Sequence, residues 1–219
     1  MSTSKAVLPE RSGYLVLSFA VLLIVAAIGF LQLLGTEDQE RLLAEGGFFE
    51  NLTVVGYAAC LILIGVCWPW STTQARWYFP ALIILFALRE LDYDKSQFTV
   101  GLLKSRQYFG NLVSIPELVL SVVILIFILS VVASIFLKET RNFISGLIAG
   151  ETSQLAIMAS ILLLLTSKSV DGLGRKLAGF NIEVSQSVEQ FSYVFEEVGE
   201  LGIPMMFAVA IVFGRSRGS

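Results

Sequence analysis

The stretch WYFPALIILFAL (Trp77–Leu88) runs directly into RELDYDK (Arg89–Lys95), and the fold turns on how that junction is read. At ~1.5 Å of rise per helical residue the apolar part reaches only about 18 Å. The hydrocarbon slab of a bilayer is ~30 Å thick. A helix that crosses a membrane here must carry Arg89, Glu90 and Asp92 into or near the lipid zone. Charges at such depth are costly unless paired, so they mark a site that organises the protein or acts for it.

The rest of the chain supports a membrane setting. Of 219 residues, 55% are hydrophobic and 15% charged, where a soluble domain carries about 25% charge. Mean hydropathy is +0.77. The fold class expected is all-α: a polytopic membrane protein, a six-transmembrane-helix bundle with short surface helices on the outer face. One integral membrane domain, 1–219, accounts for the length. Its spans are placed at about 14–34, 51–70, 77–96, 116–137, 143–167 and 198–214. The first resembles a signal sequence in outline, but it is long, lacks a small-x-small cleavage site and reads as an uncleaved span.

Between the spans, Thr36–Gln39 has the form of a capping box that starts a short acidic helix. Asn51-Leu52-Thr53 matches a glycosylation sequon at a helix start. The polar connection 97–113 is expected to cover the outer mouth of the bundle. Ser114–Glu117 is a second capping box, with Pro116 suited to a first helical turn. Lys138–Arg141 reads as a tight basic turn into span 5, which brings in Gly146 and Gly150 as a close-approach motif. Glu151 is then an intramembrane polar group of the inner leaflet. Val184, Val188, Phe191, Phe195 and Val198 recur at helical spacing, marking an amphipathic surface helix at about 182–197. Pro204 should kink span 6.

Orientation follows from the Lys/Arg pattern. With both termini cytoplasmic, the inner side carries Lys5, Arg11, Arg76, Lys138, Arg141, Arg215 and Arg217, densely placed in very short loops. This is where the positive-inside rule applies best. The localisation expected is a multi-pass protein of the cell inner (plasma) membrane. Membrane lipids are its expected partners, with a homo-oligomer or larger membrane complex allowed for. A net charge of −3 excludes a broadly basic nucleic-acid binder.

That topology gathers charge on one face: Glu50 opening span 2, Arg89, Glu90, Asp92 and Asp94 closing span 3, Glu117 opening span 4, and Glu196, Glu197 and Glu200 leading into span 6. Glu200 and Arg89 are flanked by similar lengths of apolar sequence, so the two are expected at matching depth, and a salt bridge of Arg89 to Glu200 or to Glu50 is expected to fix helix order. The preferred reading is an accessory or scaffold subunit organised by this Arg/carboxylate cluster. The alternative is a cation- or lipid-headgroup-binding protein with transport or metal-dependent hydrolytic activity. Carboxylates would suit a hard cation, Ca²⁺ or Mg²⁺.

Catalytic signatures are sparse. The chain has no His, which removes the commonest metal ligand and neutral-pH base and argues against a zinc hydrolase. No Ser stands in a nucleophile-elbow context, and Gly172-Leu173-Gly174 lacks a phosphate-cradling pattern. No lysine falls inside the apolar part of an expected span, which disfavours a Schiff-base chromophore. Cys60 and Cys67 are two helical turns apart, about 10 Å, too far for a disulfide; both read as small buried hydrophobes.

Overall fold

Long aliphatic runs free of breakers dictate the architecture. The computed structural model describes residues 10–44, 46–109 and 112–214, and every regular element among them is helical. In chain order these are α1 (Glu10–Gln32), α2 (Thr36–Leu43), α3 (Phe48–Cys67), α4 (Trp70–Ala75), α5 (Tyr78–Glu90), α6 (Tyr93–Gln97), α7 (Ile115–Ile148), α8 (Thr152–Val170), α9 (Leu173–Ala178) and α10 (Gln186–Phe213). A 3₁₀ turn covers Ser105–Gln107. Four segments are long and apolar enough to cross a membrane: Arg11–Gln32, Thr36–Cys67 (its apolar part is α3), Ile115–Ile148 and Thr152–Val170. Their large apolar side chains, Phe19, Leu22, Ile126 and Phe136 among them, face outward, the arrangement of a membrane protein rather than a water-soluble one. Lys5, Arg215 and Arg217, which enter the orientation argument, lie outside the described residues.

Several boundaries differ from the sequence expectation, each for a local reason. Lys138–Arg141 is not a turn but the interior of α7. Charge does not stop a helix, and no Gly or Pro interrupts this stretch. The reversal comes at Gly150, at φ +72, where the Glu151 N–H bonds to the Gly146 carbonyl and the Gly150 N–H to that of Leu147. That pair of bonds is a Schellman ending, which glycine adopts without Cβ strain. Span 3 stops early: α5 ends at Glu90, and Asp92, at φ +48, reverses the chain into α6. Asp tolerates this left-handed geometry better than most residues. Span 2 is Phe48–Cys67 rather than 51–70, because Pro69 follows and starts α4. The surface helix and span 6 are one helix, α10, continuous through 197–198 with Pro204 inside it.

Neither capping box forms. Ser114 makes no side-chain cap, and Gly35, not Thr36, precedes α2. Gln39, buried, donates instead to the Leu31 and Leu34 carbonyls and accepts from Gln190 at 2.6 Å. One amide thereby ties α2 to the end of α1 and to α10.

At the centre is α10, packed most extensively on α8 and then on α3 and α1. Small residues allow this approach. A Cβ on Gly202 would lie 2.8 Å from Leu163 and 2.9 Å from Ile24, and one on Gly56 would lie 2.9 Å from Pro204. The core has one part around Ala156, Val198 and Met206 and another around Tyr57, Cys60 and Ile203. In the latter, the Cys60 thiol donates to the Pro204 carbonyl at 3.2 Å, and both cysteines are unpaired thiols. From α3 the packing passes outward to α5, and then through Tyr78, Ala81 and Val131 to α7.

Candidate functional site

Helix ends bring the decisive charges together. Arg89 stands in the last turn of α5, Lys168 in the last turn of α8, and Glu200 midway along α10. Glu200 is buried, at 8% exposure. Its Oε1 accepts from Arg89 Nη2 at 2.6 Å and lies 2.8 Å from Lys168 Nζ. One carboxylate of the central helix is thus shared between cations of two others. Glu196, one turn earlier, places Oε1 3.5 Å from the same Lys168, and Asp171 Oδ2 also lies 3.5 Å from it.

The close fit of α8 and α10 allows this reach. A Cβ on Gly199 would fall 2.2 Å from Ser167 Oγ, so only glycine lets the helices meet beside Lys168. Pro204 adds a backbone effect. Having no N–H, it leaves the Glu200 carbonyl without its usual i+4 helical donor.

Glu90 is next to this network. Its side chain is 5% exposed, with Oε1 3.7 Å from Arg89 Nη2, and its carboxyl faces that of Glu200. Tyr57 is fully buried and stacks on Phe86 with ring centroids 5.8 Å apart. Its hydroxyl points into the field of Arg89, Glu90 and Glu200. Three buried atoms in this region have no hydrogen-bond partner: Tyr57 Oη, Glu90 Oε1 and Ser167 Oγ. Most buried polar atoms in proteins are paired, so three without hydrogen-bond partners on the helices that carry this network are a specific observation.

Other candidates from the sequence do not join the pair. Glu197 lies among Glu50, Glu90, Glu196 and Glu200, but Glu50 itself accepts from the Gly46 N–H at 2.6 Å and secures the start of α3. Asn51 of the sequon donates to the Gly46 and Gly47 carbonyls there. Asp92 pairs with Lys95 at 2.8 Å on the surface, and Asp94 opens the short α6. Glu117 pins the preceding loop instead. It accepts from the Thr99 N–H and hydroxyl and from Gln107, whose amide also donates to Ser121. Glu151 precedes α8 in the turn after α7, beside Gly146, and is not part of a helix interior.

Lys168 and Tyr57 are the participants missing from the sequence reading. Span 5 was expected to end one residue before Lys168, whereas α8 continues to Val170. The Lys168–Asp171 spacing of three, ending at Asp171-Gly172, is the signal that extends the helix. Tyr57 shares a buried helix face with Thr53, Cys60 and Ile64, and its hydroxyl, unlike that of Thr53, is not taken up by the helix backbone.

The donor set does not fit a hard cation. Among the described residues no group of three or more His, Cys, Asp or Glu is arranged to hold a metal. The best-placed carboxylate, Glu200, is already matched by two cations. No family model matches the chain, and no curated protein or solved structure matches it.

Proposed function

We propose that this chain is an integral membrane accessory or scaffold subunit of the cell inner (plasma) membrane, organised around the Arg89–Glu200–Lys168 network. Alongside the four apolar segments, α5 and α10 act as additional crossings, giving six spans with both termini cytoplasmic. In this arrangement α2, α6, α9 and the 97–113 segment lie on the outer face. Arg76 marks the inner boundary, and Arg89, thirteen residues later, sits roughly 20 Å above it, in the outer half of the bilayer. The short α5 is tolerated because its terminal charge does not meet lipid unpaired.

The observation that carries this reading is the sharing of Glu200 between cations of two neighbouring helices. A network of paired charges on the helix against which the bundle packs serves helix order. Arg89→Gln in the full-length protein, purified in detergent, should lower the melting temperature and weaken any complex retained on native gels. A variant that melts like the wild type contradicts the proposal.

A second reading, recognition of a lipid headgroup or another polar ligand at this network, is favoured by the unpartnered Tyr57, Glu90 and Ser167 atoms. Tyr57→Phe separates the two. If the network is purely structural, losing a buried unpaired hydroxyl leaves stability unchanged or raises it by about 1 kcal/mol. If a ligand uses that hydroxyl, the stabilisation that added lipid extract gives the wild type is lost in the variant.

A further inference from the structure

The charges gathered around Glu200 do not balance. Four carboxyl groups, those of Glu90, Glu196, Glu200 and Asp171, stand within 3.7 Å of two shared cations, Arg89 and Lys168. Glu197 adds a further acid that faces Glu90 and Glu200. Fully ionised, the cluster would bury uncompensated negative charge. A buried acid without a counter-charge takes up a proton instead.

Geometry singles out Glu90 as that acid. Its side chain is the least exposed of the four. Its cation contact is Arg89 Nη2 at 3.7 Å, whereas Glu200 holds the same nitrogen at 2.6 Å and has Lys168 at 2.8 Å besides. A separation of 3.7 Å is beyond hydrogen-bonding reach, and Glu90 Oε1 has no hydrogen-bond partner. A carboxylate stripped of donors at that burial is far costlier than a carboxylic acid. The Tyr57 hydroxyl of α3 is also fully buried without a partner, and it feels Glu90 more than any other charge. Lys168 of α8 faces Glu90 as well, but Glu200 holds it at close range. Around α6 and α7, Asp92 pairs with Lys95, and Glu117 accepts from Thr99 and Gln107.

The carboxyl of Glu90 lies against that of Glu200, and two carboxyl groups in contact keep one proton between them rather than both ionise. We propose that Glu90 and Glu200 form a proton-binding site inside the bundle. Glu90 carries the proton as the neutral acid and donates it to Glu200, the carboxylate that Arg89 and Lys168 hold ionised. Release of the proton sets a second negative charge against Glu200 where Arg89 joins α5 to α10. That joint therefore loosens as pH rises. The site deepens the network reading above and rests on it.

Infrared spectroscopy of the full-length protein in lipid-containing micelles tests it. At neutral pH the wild type should show the carbonyl band of a protonated carboxyl, shifted in D₂O, and Glu90→Gln should lose that band. Glu197→Gln, which removes the neighbouring acid, should keep it. Glutamine has the shape and neutrality of the carboxylic acid and an amide N–H to donate, so Glu90→Gln should fold and melt close to the wild type. The folded protein binds a proton that the unfolded chain releases. The wild-type melting temperature should therefore fall as pH rises through neutrality, more steeply than that of Glu90→Gln. The proposal is overturned if Glu90→Gln removes no such band, or if the band goes with Glu197 instead. It is equally overturned if Glu90→Gln fails to fold or melts well below the wild type, which would show that the negative charge is needed, or if the two pH profiles run parallel. The network reading has its own test: if Arg89→Gln is destabilised while no proton is found, that reading stands and only the proton site falls.

Discussion

Glu200 has two cationic partners, and the two are not equivalent. Arg89 can present several N–H groups in a planar fork, while Lys168 offers a compact charge on a flexible stem. Arg89→Lys should therefore lose part of the stability that Arg89→Gln loses. Lys168→Met should destabilise by about 2 kcal/mol, between the cost expected for an exposed and for a buried pair; reversible unfolding in mixed micelles would measure it. No loss would show that Glu200 is satisfied by Arg89 without help. The sequence narrows the partner of Arg89 to Glu200 or Glu50, because apolar runs of measurable length place Glu200 at a matching depth; the structure pairs Arg89 with Glu200, while Glu50 accepts from the Gly46 N–H. Lys168 was hidden because the expected span stopped at the first charge. A last-turn lysine with a neighbouring carboxylate continues a helix readily.

At the scale of elements, helices end where backbone chemistry ends them. Neither Lys138–Arg141 nor Glu196–Glu197 interrupts its helix, although both are dense in charge. Gly150, Asp92 and Gly172 do reverse the chain, all at positive φ. Gly150→Ala should cost about 1–2 kcal/mol from left-handed strain, while Gly35→Ala, which lies in open space at ordinary negative φ, should be nearly neutral. Thermal unfolding of the pair would test that contrast, and equal effects would remove Gly150 from its place as the hinge between α7 and α8. Gly199→Ala should be worse still, because its methyl falls on Ser167 Oγ. Combination with Ser167→Gly should recover part of the loss. The two capping motifs misled because Gln39 and Glu117 find tertiary partners, and those partners lie too far along the chain to be anticipated from spacing.

For the whole molecule, the helical class and its membrane character were readable from composition and run length. The packing order was not. Hydropathy ranks α7 as the most apolar segment, yet it is peripheral, and the centre belongs to α10, whose acids lower its apolar score. Centrality here comes from Gly199, Gly202 and Pro204, the small and fixed shapes that other helices pack around. The proposed topology makes a direct prediction at this scale. In a chain with Cys60 and Cys67 replaced by Ser, a single cysteine at Gln74 should react only from the cytoplasmic side of sealed vesicles. One at Lys104 should react only from the opposite side. The reverse pattern would invert the orientation, and labelling of both from one side would change the number of crossings between them.

The central claim is that one carboxylate on α10 fixes α5 and α8 in place. A double-mutant cycle on Arg89 and Glu200, using Arg89→Gln, Glu200→Gln and the pair together and read by reversible unfolding in lipid-containing micelles, tests it most directly. Each single change should cost about 2 kcal/mol or more, while the double change should cost clearly less than their sum, because neither charge is then left buried alone. Strictly additive losses, or single variants as stable as the wild type, would contradict the account.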